Sequence, residues 1–171
     1  MSIILVGYRG SGKTTIGKKL ADRLWQTFVD TDDMVAKAAG KTIKQVFEED
    51  GEAKFRELEI AAVRDACATS DHVIALGGGA VTRQENRDAV KQSGHKVVYL
   101  RCDPQVLLKR IESDPTTATT RPNLTTMGGG IEEIRTLLAV REPLYRQLLT
   151  FELDVSNLSP EEAYVHITRV M

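Results

Sequence analysis

The segment GYRGSGKT, residues 7–14, constrains this chain more than any other. It reads Gly-x-x-x-x-Gly-Lys-Thr, in which the glycines let successive backbone N–H groups converge on phosphate oxygens. A β-branched run at residues 3–6 precedes it, and apolar residues at helical spacing follow it in residues 15–24. In this strand, loop and helix context the helix would direct the positive end of its dipole at a bound phosphate. The segment therefore predicts a phosphate-binding loop.

Two side chains of this segment have the chemistry that a nucleotide and its metal need. Lys13 would place a positive charge near the β- and γ-phosphates, and Thr14 would present its hydroxyl to Mg²⁺, a hard cation that prefers oxygen ligands. The residues expected to hold the nucleotide phosphates are Gly10, Ser11, Gly12, Lys13, Thr14 and Thr15.

Length and composition restrict the class of protein. A chain of 171 residues fits one domain, and a net charge of −1 argues against a nucleic-acid partner. The apolar runs are far too short to cross a membrane and the N-terminus lacks signal-peptide features, so we expect a cytoplasmic protein with no membrane partner. Cys67 and Cys102 form no Cys-x-x-Cys pair and are expected to be buried thiols.

The order of strand-like and helical segments predicts the fold class. Further strand-like runs lie at residues 27–30, 72–76, 96–101 and 151–154. Longer helical stretches separate them, which predicts an α/β fold with a five-stranded parallel sheet and helices on both faces. Ligands of such sheets bind along the carboxyl edge of the strands.

Local helix signals support this reading. Capping boxes at Thr42 and Ser159 each predict the start of a helix. Trp25, the only tryptophan, ends the first helix, and we expect it to pack against the protein.

The segment from residue 114 to residue 130 interrupts the pattern. It is rich in threonine and proline and ends in three consecutive glycines, which predicts a mobile loop. Arg121 lies in this loop and Arg110 near the end of the preceding helix. An arginine that closes over the phosphates would neutralise developing charge, although Arg110 could equally be a helix-end cation.

Two carboxylates follow the second strand. Asp30 and Asp32 would point the same way on an extended segment, so one could hold a water of the metal shell while the other meets an acceptor hydroxyl. The alternative is that Asp32 or Asp33 caps the helix that follows.

Three glycines follow the third strand. Gly77, Gly78 and Gly79 would let the backbone approach a small molecule and donate N–H groups to it; the alternative is a flexible turn.

Two arginines outside the loop leave alternatives open. An ion pair with Glu52 or Glu59 would explain Arg56 as well as ligand binding does. Arg141 precedes a proline and could point into the cleft or pair with a neighbouring side chain.

Taken together, these motifs resemble those of shikimate kinases, small P-loop kinases of the nucleoside monophosphate kinase type. The resemblance spans nearly the whole chain. It rests on residues 7–14, 30–32, 51–56, 76–79, 120–122 and 141–145. It implies a three-layer P-loop fold in one domain, residues 1–171, with a substrate-binding segment at about 32–60 and a mobile lid at about 112–128, in a monomer.

The resemblance also implies the reaction and its residues. ATP, with Mg²⁺, would phosphorylate the 3-hydroxyl of shikimate on the way to chorismate. Arg56 and Arg141 would bind shikimate together with Gly77, Gly78 and Gly79, and Asp32 would orient the hydroxyl. Lys13, Asp32 and Arg121 would be the catalytic residues, and Thr14 and Asp30 would bind the metal. Arg110 and Arg121 would also bind the nucleotide phosphates. Ser156 and Pro160 would lie at the edge of the adenine.

Rival functions predict other motifs. A gluconate kinase should have a glycine between its aspartates and a following histidine, whereas this chain has Thr31. A GTP-dependent switch would use Asp-x-x-Gly and Asn-Lys-x-Asp segments, and neither occurs in the sequence.

Overall fold

A parallel sheet organises the protein. The computed structural model describes residues 1–116 and 128–171. Within them five strands pair in parallel in the order β2-β3-β1-β4-β5. The strands are β1 Ile3–Val6, β2 Thr27–Asp30, β3 His72–Ala75, β4 Lys96–Arg101 and β5 Phe151–Asp154. The predicted fold class is confirmed.

Helices connect successive strands, as crossovers between parallel strands require. They are α1 Lys13–Leu24, α2 Thr31–Ala39, the short α3 Ile43–Gln45, α4 Glu52–Cys67, α5 Gln84–Ser93, α6 Pro104–Ser113, α7 Ile131–Arg146 and α8 Pro160–Val170. A π-helical turn, Val46–Asp50, joins α3 to α4, and a 3₁₀ turn, Ala80–Thr82, precedes α5. Both predicted capping boxes are formed, at Thr42 and at Ser159.

The alternation of side chains along β1 explains the two-sided core. Ile3 and Leu5 face a cluster that includes residues of α1, α6, α7 and α8, whereas Ile4 and Val6 face residues of α4 and α5. The central strands are therefore buried on both faces, which is why they read as continuous apolar runs. A smaller cluster of α2, the π-helical turn and α4 flanks the carboxyl edge of β2.

The end of α1 differs from the expectation. Trp25 is 95% exposed, so the prediction that it packs against the protein is wrong. Its φ of 56° lies in the left-handed region, which directs the backbone from α1 into β2 and the indole into solvent. Cys67 and Cys102 are both buried as predicted. Among the helices of the described ranges, none combines the length and apolarity needed to cross a bilayer.

Candidate active site

The phosphate-binding loop lies between β1 and α1. Gly10 and Gly12 have φ of 83° and 94°, a region that side chains with a Cβ rarely adopt, and Gly12 forms the N-cap of α1. Lys13 Nζ donates to the carbonyls of Gly7 at 2.8 Å and Tyr8 at 3.0 Å. The ammonium group therefore lies across the loop, at the start of the helix that carries it.

A cavity of about 780 Å³ opens in front of this loop. Its volume falls within the range of small-molecule and cofactor sites. Nine of the residues predicted from sequence line it: Gly10, Gly12, Lys13, Thr14, Thr15, Asp30, Asp32, Arg110 and Pro160. We call this space the nucleotide cleft.

Two of the predicted nucleotide residues direct their side chains elsewhere. The Ser11 side chain is fully buried beneath the loop. The Ser156 hydroxyl accepts from the Asp103 amide at 2.9 Å and donates to the Asp154 carboxylate at 2.6 Å, which fixes the turn after β5. If either residue contacts a nucleotide, the contact falls to its backbone.

The two predicted aspartates lie in different secondary-structure elements. Asp30 ends β2 and is the N-cap of α2, because its Oδ1 accepts from the Asp32 amide at 3.0 Å. Helix α2 begins at Thr31, so the expectation of an extended segment is wrong, and the capping residue is Asp30 rather than Asp32 or Asp33. Both Asp30 and Asp32 nevertheless line the nucleotide cleft, because the helix begins at the sheet edge.

A hydroxyl and a carboxylate meet on the floor of the cleft. Thr14 Oγ1 donates to Asp30 Oδ2 at 3.1 Å, and Asp30 is 9% exposed. Two oxygen ligands of this kind, at the foot of a phosphate-binding loop, form the donor set that Mg²⁺ prefers.

A second, smaller cavity of about 60 Å³ adjoins the nucleotide cleft. Arg9, Asp32 and Ile43 border both spaces. The remaining lining residues are Phe47, Phe55, Arg56, Glu59, Gly77, Gly78, Gly79 and Arg141. We call this space the acceptor pocket. The residues that the sequence assigned to an acceptor are thus brought together, although they come from four separate parts of the chain.

The glycines of the acceptor pocket leave room for its charged groups. A Cβ on Gly77 would lie 2.4 Å from Asp32 Oδ1, and one on Gly79 would lie 3.2 Å from Arg141 Nη2 and 3.4 Å from Arg56 Nη1. The Gly77 amide donates to the buried Thr31 hydroxyl at 3.0 Å. The carboxylate and both guanidinium groups therefore converge on one stretch of side-chain-free backbone.

An ion pair fixes one wall of the pocket. Arg56 Nη1 donates to Glu59 Oε2 at 2.8 Å, and Arg56 Nε lies 3.6 Å from Glu52 Oε1. Burial raises the pKa of Glu59, which is 1% exposed, while the neighbouring Arg56 guanidinium acts in the opposite direction. Arg56 therefore forms the predicted ion pair with Glu59 and also lines the pocket, so the ion pair does not remove it from the candidate site.

Arg141 of α7 lines the same pocket. It is 6% exposed, and its guanidinium lies 5.5 Å from the centre of the Tyr8 ring. Burial raises the pKa of Tyr8, and the charge of Arg141 opposes this shift. A buried guanidinium that faces a small pocket is suited to bind a carboxylate through two hydrogen bonds.

Arg110 connects two loops at the sheet edge. It donates to the carbonyl of Val155 at 3.0 Å and to that of Gly10 at 3.4 Å while lining the nucleotide cleft. Both interpretations of Arg110 fit these contacts. Arg121 and most of the expected lid lie outside the described residues.

Several residues of the site were not found from sequence. Arg9 occupies a variable position of the phosphate-loop motif yet borders both cavities, and Tyr8 supports Arg141. Thr31 and Glu59 are buried polar residues that position Gly77 and Arg56. Only Glu59 had a usable signal, its spacing of three residues from Arg56 on a helix.

Comparison with known proteins identifies relatives of the chain. The family model described as "Shikimate kinase" matches residues 9–171. The shikimate kinase of Rhodopirellula baltica is 38% identical over 98% of this chain and 88% of its own length. The structure of shikimate kinase from Acinetobacter baumannii in complex with shikimate superposes with a TM-score of 0.91 at 32% identity, covering 99% of this chain and 91% of that one.

A gluconokinase is a more distant structural neighbour. The Sinorhizobium meliloti enzyme covers 99% of this chain and 92% of its own with a TM-score of 0.62, at 19% identity, so the likeness concerns the fold alone.

Proposed function

Because the chain belongs to the shikimate kinase family and transfers a phosphoryl group from ATP to shikimate, we propose which of its residues carry each step. The observation that carries the assignment is the position of Asp32. Asp32 borders both the nucleotide cleft and the acceptor pocket, and its carboxylate lies beside Gly77. A group there can contact an acceptor hydroxyl that faces the terminal phosphate.

The acceptor pocket matches the chemistry of shikimate. Shikimate has one carboxylate and three hydroxyls on a six-membered ring. Arg56 and Arg141 converge near Gly79 and would bind the carboxylate, while the backbone of Gly77, Gly78 and Gly79 would meet the hydroxyls.

Asp32 is the residue that would act on the reacting hydroxyl. Asp32 would orient the 3-hydroxyl toward the γ-phosphate and accept its proton as the new O–P bond forms, while the bond between the γ-phosphorus and the β,γ-bridging oxygen breaks and ADP leaves. Lys13, Arg110, Arg121 and the backbone amides of residues 10–15 would hold the phosphates and neutralise their charge. Arg121 is proposed from the sequence alone, as is the lid at about 112–128, and Ser156 and Pro160 would edge the adenine.

Mg²⁺ would be held by Thr14 and Asp30, directly and through water. Bound there, it would supply neutralisation of phosphate charge. Replacing Thr14 with valine removes one ligand without changing the shape of the side chain. We expect this variant to bind Mn²⁺, used with ADP as a paramagnetic probe, at least about tenfold more weakly; unchanged Mn²⁺ affinity would remove Thr14 from the metal site.

The remaining proposals concern the whole chain. We propose that residues 1–171 act as one domain in a cytoplasmic monomer, with the substrate-binding segment at about 32–60. This segment comprises α2, α3, the π-helical turn and the first half of α4, each of which contributes residues to the lining of the acceptor pocket.

The test of Asp32 is its conversion to asparagine. Asp32→Asn keeps the shape and removes the charge, so we expect kcat to fall by at least about 100-fold while the Kd for ATP changes by less than about twofold. The matched control is Asp33→Asn, because Asp33 lines the nucleotide cleft but not the acceptor pocket. Turnover of Asp32→Asn near that of Asp33→Asn would exclude the proposed role.

The test of the carboxylate site uses Arg141. We expect Arg141→Ala to raise the KM for shikimate by about 100-fold and the KM for ATP by less than about threefold, because only the acceptor loses a charged partner. Equal effects on both KM values would contradict this assignment.

A further inference from the structure

Tyr145 joins two walls of the acceptor pocket without lining it. It lies one helical turn beyond Arg141 in α7 and is fully buried. Its hydroxyl donates to the Gly78 carbonyl at 2.6 Å, and the nearby positive charge of Arg141 lowers the pKa of the hydroxyl against the larger effect of burial. One hydroxyl therefore ties the glycine segment after β3 to the helix that carries Arg141.

Packing fixes the position of this hydroxyl. The Tyr145 ring stacks on Tyr99, with ring centres 4.9 Å apart and an angle of 30° between the planes. Tyr99 is 1% exposed, and its own hydroxyl donates to Glu142 Oε1 at 2.9 Å. Close packing leaves the Tyr145 ring little freedom to rotate or shift.

The partner of Tyr145 on the glycine side is equally confined. A Cβ on Gly78 would lie 3.4 Å from the Gly7 carbonyl oxygen and 3.7 Å from Arg141 Nη1. Gly78 is thus enclosed between the phosphate-binding loop and Arg141. A hydrogen bond to the Gly78 carbonyl therefore attaches Tyr145 to closely packed backbone.

We propose that Tyr145 is a positioning residue for acceptor binding, which ties the Gly78 backbone to α7 and so keeps the glycine segment and the Arg141 guanidinium in the arrangement that receives a carboxylate. The inference rests on the proposed role of Arg141. A guanidinium that is already oriented loses less conformational freedom when its ligand binds, so the effect concerns affinity for shikimate rather than the transfer step. Burial also raises the pKa of Tyr145, so the hydroxyl keeps the proton that it donates.

The experiment removes the hydroxyl alone. Tyr145→Phe keeps the stacked ring, and we expect the KM for shikimate to rise by about tenfold while kcat and the KM for ATP change by less than about twofold. Tyr99→Phe is the matched control, because it removes a buried hydroxyl from the same stacked pair without touching Gly78 or Arg141. Thermal melts of both variants report the stability that each loses.

A double-mutant cycle separates positioning from a general loss of structure. In the Arg141→Ala background, Tyr145→Phe should change the KM for shikimate by less than about twofold, because the group it positions is gone. A tenfold effect in both backgrounds, or an equal effect of Tyr99→Phe, would overturn the inference. Arg141→Ala without an effect would instead refute the proposed function, so the two failures are distinguishable. If Tyr145→Phe melts below the assay temperature, shikimate titration of the folded protein by calorimetry in the cold replaces the kinetic measurement.

Discussion

Replacing Gly77 with alanine tests how closely the position of Asp32 controls turnover. Gly77 follows β3 and does not have a positive φ, so alanine introduces no backbone strain there. The added methyl group would lie 2.4 Å from Asp32 Oδ1, 3.3 Å from its Cγ and 3.5 Å from Glu59 Oε1. Within residues 1–116 and 128–171, the only separation below 3.0 Å is therefore with the carboxylate.

The size of the effect follows from this distance. Carbon and oxygen atoms in contact are separated by about 3.4 Å or more, so the carboxylate must move by about 1 Å. It is a short side chain in the first turn of α2, which can rotate without unfolding the helix. A 1 Å misplacement of a reacting group lowers kcat by about 100-fold, which corresponds to about 2.7 kcal/mol in the activation barrier.

The assay is steady-state ADP release with shikimate, together with the Kd for ATP and a thermal melt. We expect kcat of Gly77→Ala to fall by about 100-fold while ATP affinity changes by less than about twofold. Gly130→Ala is the control, because Gly130 has a φ of −82° and a Cβ there would meet nothing within 4 Å in the described residues. A kcat of Gly77→Ala within about threefold of the Gly130→Ala value would refute the reasoning.

Two further predictions concern stability. Burial raises the pKa of Glu59 above its ordinary value of 4.5, so above pH 4.5 the native state releases its proton less readily than the unfolded state, and stability from this group falls as pH rises through the folded pKa. Glu59→Gln lacks this titration. The difference between its free energy of unfolding in urea and that of the wild type should therefore change in favour of the variant as pH rises from 4.5 to 7. A change in favour of the wild type would contradict the raised pKa of Glu59. Trp25→Gly relieves the left-handed φ of 56° at an exposed site, and we expect a gain of about 0.5–1 kcal/mol in thermal unfolding with unchanged kcat. A lower melting temperature would indicate that the indole has a partner.

Local signals in the sequence predicted most of the fold. The five strands, the phosphate-binding loop and the capping boxes at Thr42 and Ser159 each depend on residues within one short window, and all are confirmed. The error at Asp30 arose because a strand can end and a helix can begin without an intervening residue. The error at Trp25 arose because apolar character predicts burial, although the left-handed end of α1 turns this side chain outward.

The candidate site was predictable only where charge or glycine marked it. Arg56, Arg141 and the glycines of residues 77–79 stood out by type, and the topology brings them to one edge of the sheet. Tyr145 and Thr31 lie in motifs that carried the resemblance, but neither was assigned a role, because each acts through a hydrogen bond to backbone from a distant part of the chain. Such pairings depend on tertiary packing, for which one sequence contains no periodic signal.

Arg9, Asp32 and Ile43 border both cavities. An inhibitor spanning both cavities would therefore contact the carboxylate proposed to activate the acceptor. Substitution of that aspartate would lower kcat as well as inhibitor binding. Resistance substitutions should therefore arise first at Arg9 and Ile43.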